Sequence, residues 1–219
     1  MAPREIGFDK DTVLAAAVEL VREKGWKSLT ARAVAEKLKS SVAPVYSTFG
    51  SMEALEREVL EEARRRLHER TSVPYTDNAF LNIGVGVVVF AREEGHLFRA
   101  LFHSRHNHPE IIARVNASFL ERMKADAALR LLPDPSLERL LHYLGTYTFG
   151  LAALIVYGHQ QDPSTENIIR LLRNAGNMMI FGEFSGLADD ESPDSQREWA
   201  RILMEKNIVL PEKGDKESQ

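Results

Sequence analysis

TARAVAEKLKSSVAPVYSTFG, residues 30–50, falls into three parts by its own chemistry. Thr30 has a hydroxyl that can accept an orphan backbone N–H at a helix start, and Ala33, Val34 and Leu38 follow at helical spacing. Lys39-Ser40-Ser41 interrupts that pattern. Ser41 can cap a second, short helix predicted over Val42–Phe49, which Gly50 ends. Two helices joined by so short a break must cross steeply, and a further helix must cover their apolar side. The stretch therefore reads as a helix-turn-helix. The first helix of such a pair can lie across a nucleic-acid backbone while the second enters a major groove.

The flanking sequence supplies what this pair needs. Upstream, a helix is predicted over Asp11–Lys24, capped by Asp9 or Asp11, with Leu14, Ala17, Val18 and Val21 on one stripe and Gly25 as its left-handed stop. Downstream, Ser51 opens a long helix running to about Arg70, with Glu53 in its first turn and Leu55, Val59, Ala63 and Leu67 as its inner face. Val73-Pro74 closes it. Further helical blocks are predicted at about 77–92, 95–104, 109–131, 136–159, 164–186 and 194–206, bounded mostly by prolines at their starts. No segment alternates as a strand does. The fold class is all-α: a three-helix head (residues 1–52), a long connecting helix, and a helical body (53–210), with 211–219 as a disordered tail.

Composition sets outer limits. Hydrophobic residues make up 44% of the 219 and charged residues 27%, values of a chain that buries a core. No cysteine is present, so disulfides, thiol catalysis and thiolate metal sites are excluded, and a cytoplasmic location is expected. The formal charge of -4 is uneven. Residues 1–51 hold eight Lys/Arg against six Asp/Glu and the rest of the chain is acidic, which suits a head that meets DNA. Leu140 to Gly158 contains no charged residue but is broken by His142, Thr146 and Thr148. It reads as a helix buried on nearly all sides in a soluble bundle or dimer interface, and no membrane partner is expected.

Gly25-Trp26, Leu29-Thr30, Val34-Ala35, Tyr46-x-x-Phe49 and Ser51-x-Glu53-x-Leu55, in that order over about residues 10–60, resemble the tetracycline-repressor family. The resemblance implies a DNA-reading head on a ligand-binding, dimerising helical body. By it, Thr30, Arg32, Lys39, Ser41, Val42, Ala43, Pro44, Tyr46, Ser47 and Ser51 form the DNA surface. Tyr46 and Ser51 would reach phosphates, and Phe49 would pack beneath the helix. Two departures stand out. Lys39 occupies a turn position where the family carries glycine, at a cost of about 1 kcal/mol if φ is positive. The recognition helix also holds no Lys, Arg, Asn or Gln, so bidentate base readout from it is excluded.

For the body, the resemblance implies a cavity for a small hydrophobic effector, assigned to Val89, Phe98, Phe102, His103, Phe119, Met123, Tyr143 and Tyr147, with Asn116 and Thr146 as further polar groups. It implies a homodimer through the helices at 136–159 and 164–186, assigned to Leu144, Thr148, Leu151, Ile155, Ile169, Leu172, Gly176 and Met179. His103 and His106 have the spacing of a helical metal pair, but no carboxylate lies in the run, and no metal or cofactor is expected. There is no nucleophile elbow, phosphate loop or HExxH, so an enzyme is not expected. The expected function is a ligand-responsive repressor that binds a pseudopalindromic double-stranded DNA operator as a homodimer. The alternative is a helical ligand-binding module with weak or lost DNA binding.

Overall fold

The computed structural model describes residues 8–102 and 108–188, the last four by backbone alone. It is helical throughout: α1 (Lys10–Lys24), α2 (Ala31–Lys37), α3 (Ala43–Phe49), α4 (Met52–Thr71), α5 (Ala79–Glu93), α6 (Gly95–Phe102), α7 (Pro109–Ala125), α8 (Asp134–Val156) and α9 (Thr165–Ala188). The predicted helix at 194–206 and the tail at 211–219 lie outside the described residues.

Helix starts follow the capping chemistry. Asp9 accepts from Thr12 N at 2.7 Å, Thr30 from Ala33 N at 3.2 Å, Ser51 from Ala54 N at 3.1 Å and Asn78 from Leu81 N at 2.9 Å. α3 departs from expectation. It starts one residue late, with Val42 in the cap position, and Ser41 reaches only Ala43 N at 3.4 Å. Pro44 sits in its first turn, where a missing N–H costs nothing. The block expected at 109–131 divides, because the Asp126 carboxylate accepts from Ala128 N and Leu129 N and turns the chain after α7.

One apolar cluster runs through head and body alike. Val13, Ala17 and Val21 of α1 meet Leu55 and Val59 of α4, and the same cluster continues through Val88 and Phe90 of α5 and Phe98 of α6 to Ile168 and Leu172 of α9. A smaller one gathers Met123, Leu137, Leu140 and Phe184 at the far end. α5 is the central helix and is buried over most of its length. At Gly86 it crosses the last turn of α4 so closely that a Cβ would lie 2.4 Å from the Arg70 carbonyl oxygen, which only glycine permits.

α8 is long and apolar enough to cross a bilayer by length and composition. In this fold it packs against α5 and α9.

Candidate nucleic-acid surface and body cavity

The helix pair at 30–50 forms as the spacing requires. α2 ends in a Schellman turn: Ser40 N donates to Ala35 O at 2.9 Å and Lys39 N to Glu36 O at 3.0 Å. The turn places Lys39 at φ 53, in the left-handed region that glycine adopts without cost. Val45 of α3 is fully buried and anchors the helix, while Val42 (42%) and Tyr46 (48%) are exposed. Ser41, Ala43 and Ser47 are exposed beside them, and Pro44 is half-buried. Thr30, Arg32, Lys39 and Ser51 are also exposed, at the starts of α2 and α4 and at the turn. All ten residues assigned to the DNA surface are thus at least partly open to solvent.

The neighbouring cations divide into two groups. Lys37 is held by Glu23 at 3.0 Å, and Lys10 by Glu58 at 2.7 Å, with its ammonium 5.5 Å from the centre of the half-buried Phe49 ring. Arg32 and Lys39 make no ion pair among the described residues. The surface therefore offers these two as open charges, with hydroxyls from Thr30, Ser41, Tyr46 and Ser47. That set can bind phosphate and make small apolar and hydroxyl contacts to bases.

Head and body are joined by an ionic knot. Glu94, just after α5, accepts from Arg22 of α1 at 2.6 Å and from Arg66 of α4 at 3.2 Å, with its side chain only 12% exposed. Glu94, and after it Glu19, raise the Arg22 pKa above its ordinary value. Beside this knot the His96 Nδ1–H donates to Val21 O at 3.2 Å, since a carbonyl can only accept. α7 is tied to α4 in turn by Arg114 to Glu61 and by Arg122, which donates to Thr71 Oγ1 at 3.0 Å and Thr71 O at 2.5 Å. Burial lowers the Arg122 pKa.

The body holds a cavity of about 830 Å³ between α5, α7, α8 and α9, within the range of small-molecule sites. Phe80, Leu81, Ile83 and Val87 of α5, Phe119 of α7, Leu141 and Phe149 of α8 and Ile180 of α9 give it apolar walls. Asp77, Asn116, Glu138, His142, Thr146 and Arg173 line it toward solvent. The turn at its mouth is fixed by buried Asn82, which accepts from Thr76 N at 2.8 Å and donates to Thr76 O at 2.9 Å.

This cavity differs from the expected one. Of the residues assigned to it, Phe119 lines it. Val89 and Phe98 are buried in the solid core. Phe102 stacks obliquely on Phe98 and Phe149, with ring centres 5.2 and 4.7 Å away. Met123 belongs to the smaller core, Tyr147 packs on the larger one, and Tyr143 is 47% exposed. His103 and His106 lie outside the described residues. The polar groups Asn116 and Thr146 do reach the cavity.

The residues assigned to a dimer surface turn inward. Leu144, Thr148, Leu172 and Gly176 line the cavity. Leu151 is buried in the main core, Ile155 and Ile169 pack on that core, and Met179 packs on the smaller one. The outward apolar side of this helix pair is instead Tyr143, Leu154 (46%) and Tyr157 (56%) of the α8 segment, with Gly150 between them, and Met178 (76%) of α9.

Residues 13–59 match the model of the tetR family of bacterial regulatory proteins. No curated protein matches the chain. Among solved structures, a TetR-like transcriptional regulator from Rhodococcus sp. RHA1 is similar at 18% identity and a TM-score of 0.58, over 86% of this chain and 99% of that one. A TetR variant from Acinetobacter baumannii AYE, in complex with minocycline, is similar at 21% identity and a TM-score of 0.55, over 82% of this chain and 98% of that one. Residues 13–59, from α1 into α4, thus carry a helix-turn-helix segment of the tetR type, and the chain as a whole shares the all-helical fold of these solved structures.

Proposed function

We propose that the chain is a ligand-responsive repressor that binds a two-fold symmetric operator as a homodimer and leaves it when a small, largely apolar effector occupies the body cavity. The observation that carries this is the open face of α3, with Val42 and Tyr46 exposed on a helix anchored by Val45. Each head would present α3 to one major groove, with the two recognition helices about 34–36 Å apart or a multiple of a helical turn. Because α3 offers no bidentate base reader, sequence discrimination would rest on methyl and hydroxyl contacts, dimer symmetry and DNA shape.

The dimer surface is proposed as the outward stripe of Tyr143, Leu154, Tyr157 and Met178, whose exposure leaves apolar area for a partner to cover. The effector site is proposed as the cavity between α5, α7, α8 and α9. α7 lines it with Phe119 and holds the end of α4 through Arg122, so an effector that shifts α7 would turn α4 and the head on it.

Footprinting on the protein's own upstream region, with binding measured against salt, tests the reading. A protected two-fold site, and an affinity that falls with log salt by about 0.9 per phosphate neutralised, are the expected results. Salt-insensitive or absent binding would favour a ligand-binding module without a DNA role.

A further inference from the structure

The charged groups of the cavity are unevenly satisfied. Most described arginines are held: Arg22 and Arg66 by Glu94, Arg139 by Glu183, Arg122 by Thr71 and Arg170 by Asn167. Arg173, on the cavity wall, has no ion pair or side-chain hydrogen bond among the described residues, although Glu138 and Asp77 line the same cavity. Helix geometry explains why they do not meet. α8 and α9 run antiparallel: Thr148 and Leu172 both abut Gly84, Leu144 meets Gly176, and Arg139 bonds Glu183 at 2.7 Å. Arg173 is therefore level with Thr148. Glu138 lies ten residues back along α8, about 15 Å at the helical rise. Asp77 precedes the start of α5 and sits toward that same far end.

The cavity thus has a donor end and an acidic end. At the donor end the Arg173 guanidinium is joined by the Asn177 amide, one turn further along α9, and by the buried Thr148 hydroxyl. Neither has a side-chain partner among the described residues. Between the ends lie Phe119, Leu141 and Ile180. Taking the cavity as the effector site, we infer that it selects an amphipathic monoanion: a carboxylate on Arg173 and Asn177, and an apolar chain running toward Glu138. A planar guanidinium fork matches a carboxylate. Glu138 and Asp77 repel a second negative charge at the other end, so dicarboxylates are rejected.

Calorimetric titration of the full chain with decanoate, decanamide, decylamine, decanol and decanedioate tests this. Decanoate is expected to bind at least about tenfold tighter than the amide, the amine or the diacid. Arg173→Gln, at an exposed position where folding is not at stake, is expected to lower decanoate affinity about tenfold or more and to leave decanol unchanged. Asn177→Leu should shift the same ratio in the same direction. Binding of decanol or decylamine as tight as decanoate, or decanoate binding untouched by Arg173→Gln, would overturn the anion preference while leaving an apolar effector site standing. No binding by any of the five would overturn both.

Discussion

Lys39 and Gly86 are opposite uses of one backbone rule. Lys39 holds a φ of 53 with a full side chain, so Lys39→Gly removes a conformational cost. The variant should gain up to about 1 kcal/mol in urea unfolding. It should also lose affinity for DNA and show a shallower salt dependence, because an open cation has gone. Gly86→Ala runs the other way. Its methyl would meet the Arg70 carbonyl at 2.4 Å, and separating α4 from α5 should cost about 1–3 kcal/mol in the same measurement. The first position was legible in sequence, because a lysine stood where a turn wanted glycine. The second was not, since Gly84, Gly86 and Gly95 look alike until a neighbouring backbone is placed against one of them.

Among the elements, α3 and α8 show where periodicity decides and where it fails. α3 carries one buried anchor and an open face, so Tyr46→Phe should leave the melting temperature unchanged. If the hydroxyl meets phosphate, operator affinity should fall several-fold by fluorescence anisotropy, in line with about 1 kcal/mol for a hydrogen bond. α8 forms where the sequence predicts a long helix, uncharged from Leu140 onward, but the sequence does not fix its rotation. When nearly every position from Leu140 to Gly158 is apolar or small, no polar side marks the outside, and the moment cannot choose a face. The consequence is a sharp pair of variants. Leu154→Glu, on the exposed stripe, should give a folded monomer by light scattering with operator binding lost. Leu151→Glu, three residues away and buried, should unfold the chain by circular dichroism.

At the scale of the whole molecule, acid stability follows from the carboxylates on its ionic seams. Arg65 and Arg66 hold the Glu62 carboxyl below its ordinary value of 4.5, and Arg139 does the same for Glu183. A carboxylate depressed in the folded state contributes stability that is present above that ordinary value and lost as pH falls through the lower folded one. The melting temperature should therefore be level above about pH 5.5 and decline below pH 4.5, and Arg139→Gln should flatten part of that decline. The helical class, the helix-turn-helix and the inner face of α4 were readable because caps and apolar spacing are local. The cavity walls were not. They depend on α8 and α9 running antiparallel, which puts Leu144 opposite Gly176, and no window of sequence contains both helices.

The knot of Arg22, Arg66 and Glu94 also bears on how this protein could be re-engineered. A chimera cut between α3 and α4, exchanging only the DNA reader, would carry a foreign first helix onto a body that still presents a largely enclosed carboxylate. Unless the donor brings an arginine at the position of Arg22 and a backbone carbonyl where His96 can bond it, the transplanted reader would sit on a seam whose carboxylate is answered by Arg66 alone. The workable unit for recombination is therefore the reader together with its cation, or the recognition helix alone.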